Sequence, residues 1–284
     1  MKNNTLSEFW SQFKVNQRKI YYRNYEIIEN DELSKIIKSD VSSLRFCENI
    51  TKGSCFIIKN VFSYEMLKKM RFYSEKFRSQ NDEKFNKIVD GVSDFHRIID
   101  KEKAKLYSLY AIKHSHYMFR WNATNPDAKL IWAEIDSYWS KMKYLGGFSN
   151  NEYVNNLPSQ GPTDRIQFVH YPANGGVLHD HVDPDHNQKF VIGVNMSKRG
   201  VDYEKGGFYT LDAKNKKIDF ELLVSPGDAL VCDARLIHGV STVVMKNLET
   251  IPEWNIDSGR WYLGLYTNDS DYKTRVTATN LEPS

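Results

Sequence analysis

The stretch Tyr171-Pro-Ala-Asn-Gly-Gly-Val-Leu-His-Asp-His-Val-Asp-Pro-Asp-His186 contains three of the eight histidines of this 284-residue chain within eight positions. In a β-strand, side chains two positions apart share a face, so His179, His181 and Asp183 are expected to point the same way. Residues four apart lie about 13 Å apart along a strand, too far for bonds of about 2 Å to one ion. A metal would therefore take either His179 with His181 or His181 with Asp183.

Strand patterns surround this stretch from about residue 163 onward. Short runs rich in aromatic and β-branched residues either alternate between apolar and polar residues or are continuously apolar, as in buried strands. Glycine-containing turns separate these runs at spacings of roughly 8 to 15 residues. The predicted strands are 165–171, 189–196, 208–211, 218–224, 229–232, 240–244 and 261–266. This spacing is typical of a β-sandwich or jelly roll.

The first half of the chain favours helices. Residues 5–40 have the mixed spacing of surface helices, and a short strand at 55–59 leads to a helix from Ser63 to about residue 79. Asn125 and Pro126 open another helix, which ends at Gly146-Gly147. The sequence thus predicts one α+β domain, mainly β: a helix-rich N-terminal layer and substrate lid (1–162), a jelly-roll catalytic core (163–268) and a C-terminal tail (269–284).

Composition restricts the class of partner and the location. The 39 Lys and Arg against 36 Asp and Glu are interspersed, so no footprint for nucleic acid or an anionic membrane is present, and a small-molecule substrate is expected. The cysteines Cys47, Cys55 and Cys232 are far apart and lack zinc-site spacing. Without an apolar signal region or a stretch of about 18 apolar residues, the sequence predicts a cytoplasmic protein that does not span a membrane.

A third metal ligand must come from elsewhere in the chain. His238 is the only histidine after position 186, and it follows a turn and a buried-type strand. His181, Asp183 and His238 would form the two-histidine, one-carboxylate set that leaves open positions on Fe(II). The alternative is a cupin-like site in which His179 and His181 join Asp185 or His186, although Pro226 to His238 is a long interval for the second cupin motif.

These motifs resemble the Fe(II)/2-oxoglutarate-dependent oxygenase superfamily, whose core is a double-stranded β-helix. The pattern Tyr-x-x-x-Gly-Gly-x-Leu-x-x-His-x-Asp runs from Tyr171 to Asp183, and Arg-x-x-His-Gly-Val occupies 235–240. The resemblance implies iron held by His181, Asp183 and His238, and a distal carboxylate of 2-oxoglutarate gripped by Arg260. The chain departs from the family in a long interval before Arg260, which implies an inserted loop around 245–257, and in Tyr262, where the family often has Ser or Thr.

The implied activity is hydroxylation of an unactivated C–H bond in a small molecule such as an amino acid, a sugar or a secondary metabolite. The reaction would consume O2 and 2-oxoglutarate and release succinate and CO2.

Further predicted cosubstrate contacts are Asn195, Tyr171 and Gln167, each of which also has an ordinary structural interpretation. Arg235 is a rival for Arg260, with an ion pair to Asp233 or Asp228 as its expected role. Predicted substrate residues are His96, Arg97, His116 and Arg120. Two other functions stay open: a cupin-type dioxygenase or isomerase without 2-oxoglutarate, and a non-catalytic jelly-roll binding module.

Overall fold

A computed structural model describes residues 4–13, 19–245, 254, 257–273 and 279–280. The elements before the jelly-roll strands are α1 (Asn4–Ser11), β1 (Asn24–Glu29), α2 (Asn30–Ile36), α3 (Asp40–Thr51), β2 (Ser54–Lys59), α4 (Tyr64–Gln80), β3 (Phe95–Ile99), α5 (Lys101–Ala104), β4 (Ala111–Phe119) and α6 (Pro126–Leu145). The strands that follow are β5 (Thr163–Tyr171), β6 (Val177–Val182), β7 (Phe190–Asn195), β8 (Lys205–Leu211), β9 (Lys217–Asp219), β10 (Ala229–Asp233), β11 (His238–Val244), β12 (Arg260–Asn268) and β13 (Thr279–Asn280).

Two sheets form the core. The larger one has the strand order β1-β2-β10-β7-β12-β5-β4, with β3 paired to β4, and the smaller one has the order β6-β11-β8-β9, with β13 paired to β6. The first residues of β4 also pair with β6 and so join the two sheets along one side. Because β12 lies between β5 and β7, and β11 between β6 and β8, strands distant in sequence become neighbours, as in a jelly roll.

The helices α1, α3, α4 and α6 cover the outer face of the larger sheet. Their buried side chains share one hydrophobic cluster with one side of β5, β7 and β12, including Phe168, Ile192 and Trp261. The sequence signals for two of these helices are confirmed: Asn125 caps α6 at the amide of Ala128, and Ser63 caps α4. The opposite side chains of the same strands face the space between the sheets, where the candidate site lies.

The first half contains more strand than its sequence pattern predicts. Within 5–40, β1 lies between two helices and pairs in parallel with β2, and β4 occupies 111–119. The β4 sequence gives no simple apolar alternation because both of its faces are covered: helix α4 packs on one, and the other lines a cavity of mixed polarity. The predicted inserted loop around 245–257 falls outside the described residues except at 245, 254 and 257.

The three cysteines are free thiols, and all are buried. Cys55 on β2 and Cys232 on β10 lie close together on neighbouring strands, although 177 residues separate them in sequence. In the part of the chain that the structure describes, no helix has the length and apolar character needed to cross a membrane.

Candidate metal centre and its cavity

His181, Asp183 and His238 come together at one end of the smaller sheet. His181 lies near the end of β6 and pairs in register with His238, the first residue of β11. Asp183 follows β6, and its backbone N–H donates to the carbonyl of Ala234 over 2.9 Å. One ligand atom from each of the three residues lies within 4.8 Å of the others, and in the described residues this is the one such group of metal-ligating side chains.

The hydrogen bonds of both histidines leave the correct nitrogen open for a metal. Nδ1 of His181 lies 2.9 Å from the carbonyl oxygen of His179, and Nδ1 of His238 lies 2.8 Å from that of Leu236. Because a carbonyl oxygen only accepts, each Nδ1 is assigned the proton and each Nε2 carries the lone pair. Backbone acceptors of this kind fix the tautomer and orientation of metal-binding imidazoles.

The carboxylate completes the group. Oδ2 of Asp183 is buried and makes no hydrogen bond within the described chain, and Oδ1 lies 3.6 Å from Nε2 of His181. A buried carboxylate oxygen without a donor is costly unless a cation occupies the space beside it. Burial, assisted by neighbouring His238, lowers the pKa of His181 well below its usual value, so its imidazole is neutral. The donor set therefore fits a divalent metal.

A β-bulge separates His179 from this group. His238 pairs with His181 and Val240 with Leu178, so Gly239 alone lies opposite two residues of β6. The strand consequently turns His179 outward, where its exposed ring packs 4.8 Å from that of Tyr110. The expectation that His179 and His181 share a face is wrong for this reason, and His179 is not available for a cupin-like ligand set.

A cavity of about 320 Å³ opens onto His181 and Asp183, and we call it the metal-facing cavity. Its main wall is the inner side of β4, β5 and β12, with Lys113, Tyr117, Arg165, Gln167, Val169, Tyr171, Tyr262 and Tyr266. Phe85, Ile88 and Arg97 line it from the segment before β4. The size and mixed apolar and polar lining are typical of a small-molecule site.

Arg260 faces a second, much smaller cavity of about 20 Å³, which is lined by Val191, Gly193, Asn195, Phe208, Phe220, Glu221, Val224, Leu230, Arg260 and Tyr262. Nε of Arg260 donates to Oε1 of Glu221 over 2.7 Å, and the two residues are only 3% and 2% exposed. Glu221 also accepts from the backbone N–H of Phe208 and from the hydroxyl of Tyr203. The guanidinium thus has a carboxylate partner within the chain, in a space that holds about one water molecule.

Tyr262 separates the two cavities. Its ring lines both of them, and the guanidinium of Arg260 lies 5.3 Å from the centre of that ring and 5.7 Å from that of Tyr171. The ring fits because residue 193 is glycine: a Cβ there would overlap the Tyr262 ring. Tyr262 therefore lies between Arg260 and the metal-facing cavity and closes the direct path between them.

The predicted cosubstrate residues fall into two sets. Gln167 and Tyr171 line the metal-facing cavity, whereas Arg260 and Asn195 line the small one. Asn195 donates through Nδ2 to the carbonyl of Ser197 over 2.8 Å. Arg235, the rival for Arg260, makes the predicted ion pair with Asp233, at 2.8 Å from Nε and 2.6 Å from Nη2.

Of the predicted substrate residues, only Arg97 lines the metal-facing cavity. His116 is on the helix-covered face of β4, where it stacks on Phe77 at 4.2 Å. His96 pairs with His116 across β3 and β4 and is also buried. Arg120 makes two 2.7 Å hydrogen bonds to Asp136 of α6. Strand alternation explains this division, because Lys113 and Tyr117 occupy the face opposite to His116.

Sequence reasoning missed Lys113, Arg165 and Glu221. Arg165 had a readable signal, since it shares the face of β5 with Gln167 and Tyr171 at two-residue spacing. Lys113 required recognition of β4 as a strand. Glu221 gave no signal, because its contact with Arg260 joins residues 39 positions apart, one in the turn after β9 and the other on β12.

Comparison with known proteins supports the fold and no more. No family profile matches the chain, and no curated protein sequence matches it. The full-length thymine-7-hydroxylase of Neurospora crassa, in complex with alpha-KG (2-oxoglutarate), aligns with a TM-score of 0.51 at 12% identity, over 92% of this chain and 88% of the hydroxylase. The C-terminally truncated apo form of that enzyme gives 0.52 at 11% identity, over 90% and 98%. The chain therefore has the fold of the Fe(II)/2-oxoglutarate oxygenases, and the predicted double-stranded β-helix is confirmed.

Proposed function

We propose that this protein is a non-haem Fe(II)- and 2-oxoglutarate-dependent oxygenase that hydroxylates a C–H bond of a small molecule. The observation that carries the proposal is the donor set of His181, Asp183 and His238. Both Nε2 lone pairs are free while both Nδ1 protons are held by backbone carbonyls, and the adjacent carboxylate oxygen has no donor within the described chain. This two-histidine, one-carboxylate arrangement suits Fe(II) with open coordination positions.

The chain's own residues would orient and shield the reaction. Iron and 2-oxoglutarate, when bound, supply the activation of O2 that oxidises the substrate, with succinate and CO2 as co-products. The backbone carbonyls of His179 and Leu236 hold the two imidazoles in place. The rings of Tyr171, Tyr262 and Tyr266 line the cavity beside the ligands and would keep water from that side of the reaction. We further propose that the segment of the N-terminal layer carrying Phe85, Ile88 and Arg97 bounds the substrate, and that the protein works in the cytoplasm.

The cosubstrate's distal carboxylate has a predicted anchor in Arg260. Nη1 of Arg260 makes no hydrogen bond within the described chain, so the guanidinium retains a donor although Glu221 already accepts from Nε. A ligand in the metal-facing cavity would reach that donor only after Tyr262 moves. Because Glu221 already neutralises Arg260, a second candidate is a cupin-type metal enzyme that uses the same three ligands, His181, Asp183 and His238, without 2-oxoglutarate.

The test compares His181→Ala with His179→Ala, two substitutions on one strand of which only the first removes a predicted ligand. We expect His181→Ala to weaken Mn(II) or Fe(II) binding by more than about 100-fold, since loss of even a supporting residue costs 10- to 100-fold. It should also abolish succinate release from 2-oxoglutarate. His179→Ala should retain both properties, because it removes only an exposed ring and keeps the backbone carbonyl that holds Nδ1 of His181.

Two results would count against the proposal. Equal metal affinity in the two variants would remove His181 from the ligand set. A wild-type protein that binds Fe(II) tightly but neither binds 2-oxoglutarate nor forms succinate from it would instead support the cupin-type candidate.

A further inference from the structure

Lys113 lines the metal-facing cavity as a partly buried lysine with no anionic side chain at ion-pair distance among the described residues. Its side chain extends from β4 beside Tyr117, and its ammonium group makes no hydrogen bond or ion pair within the described residues. An ammonium group that is partly withdrawn from water is stabilised by an anionic partner. Burial accordingly lowers the pKa of Lys113 below its usual value.

The cavity as a whole carries excess positive charge. Arg97, Lys113 and Arg165 line it, whereas Asp183, a metal ligand, is the one acidic side chain among its described lining residues. The effect on Tyr117 has the sign expected of this charge. Burial raises the pKa of the phenol, whereas Lys113, Arg165 and Arg97, together with a hydrogen bond to Ser115, lower it. A divalent metal would increase the positive charge further, so the cavity is complementary to an anion.

The charge of Lys113 acts directly on the metal ligands. Burial raises the pKa of Asp183, while His238, Lys113 and Arg165 lower it, so both cations lie within electrostatic range of that carboxylate. Nη2 of Arg165 lies 3.3 Å from Oε1 of Gln167, on the same wall. One ligand could therefore contact the metal and meet positive charge on β4 and β5.

We propose that Lys113 binds a carboxylate group of the ligand that occupies the metal-facing cavity, while Arg165 adds positive charge from the neighbouring strand. The proposal deepens the proposed function and rests on it. Two carboxylates have this chemistry: the distal group of 2-oxoglutarate and a carboxylate on the substrate. In the first case Lys113 takes the role that the resemblance assigns to Arg260. In the second case it selects a substrate that is an acid.

The experiment measures ligand binding to the Mn(II)-loaded protein by calorimetry. The variants are wild type, Lys113→Met, Lys113→Arg and Lys205→Met, a control that removes an exposed lysine of β8. The probes are 2-oxoglutarate and 2-oxopentanoate, which has the same chelating end but no distal carboxylate. Succinate, added to protein saturated with 2-oxoglutarate, probes a separate carboxylate site.

If Lys113 holds the cosubstrate, Lys113→Met weakens 2-oxoglutarate binding about 10- to 100-fold, the range of a charge-assisted hydrogen bond, and leaves 2-oxopentanoate unaffected. If it holds the substrate, the same variant leaves 2-oxoglutarate binding intact and weakens only succinate. Lys113→Arg should restore most of the affinity in either case, and Lys205→Met should behave as wild type.

Unchanged affinity for every probe in Lys113→Met would overturn the inference while leaving the proposed function intact. If the wild-type protein binds Mn(II) but neither keto acid, the proposed function fails instead. Succinate binding to the Mn(II) protein alone then tests Lys113 independently, since loss of that binding in Lys113→Met still supports the inference and its retention overturns it.

Discussion

The two cavities on the inner side of the larger sheet differ in whether the chain itself supplies a carboxylate partner for the positive charge that lines them. In the small cavity, Arg260 has a buried carboxylate partner from its own chain, Glu221. In the metal-facing cavity, Lys113 has no such partner among the described residues. A cation neutralised by its own fold stabilises one arrangement of the chain, whereas a partly buried cation without an ion-pair partner is available to a ligand. Tyr262 is the wall between these two environments.

Removal of the internal carboxylate is expected to give the largest effect. Glu221→Gln keeps the shape of the side chain but leaves the charge of Arg260 buried and unpaired, which costs about 3–5 kcal/mol of unfolding free energy. Chemical denaturation measures this loss. The double variant Glu221→Gln/Arg260→Met should recover part of it, because the uncompensated charge is then gone. A single variant as stable as wild type would show that the ion pair does not neutralise Arg260.

The sequence was most informative where the chemistry was local. The metal-ligand set and the helix caps at Ser63 and Asn125 follow from short motifs, and strand alternation predicts most of the jelly roll. The environment of Arg260 was less predictable, since it depends on Glu221, which lies 39 residues earlier in the turn after β9, and on the small size of Gly193, which admits the Tyr262 ring. Such contacts between distant segments have no periodicity to detect.

Removal of the Tyr262 ring should connect the two cavities. Its expected effect on stability is smaller than that of Glu221→Gln. Tyr262→Ser is expected to cost about 3 kcal/mol of stability through the space it leaves. It should also give a cavity ligand access to Nη1 of Arg260, which has no partner in the described chain. We therefore expect Tyr262→Ser to restore 2-oxoglutarate binding to Lys113→Met, measured by calorimetry, if the cosubstrate carboxylate is the one bound.

Tyr266→Ser is the matched control for this experiment. Tyr266 lines the metal-facing cavity but is not part of the small one, so its removal creates similar space without exposing Arg260. Equal recovery of binding in the two double variants would show that added space, rather than Arg260, is responsible.

The smallest expected effect is a difference in pH dependence between lysine and arginine at position 113. Carboxylate binding requires a protonated Lys113, whose pKa is lowered by burial and by Arg165 and Arg97, against the opposing influence of Tyr117 and Asp183. Affinity for the carboxylate should thus decrease severalfold as pH rises toward and through that lowered pKa, below the usual value near 10.5. Lys113→Arg should remain constant over the same range, because a guanidinium stays protonated. Titration calorimetry from pH 7 to 10 on both proteins measures the difference. Parallel pH profiles for the two proteins would mean that the charge that holds the ligand belongs to an arginine such as Arg165 and not to Lys113.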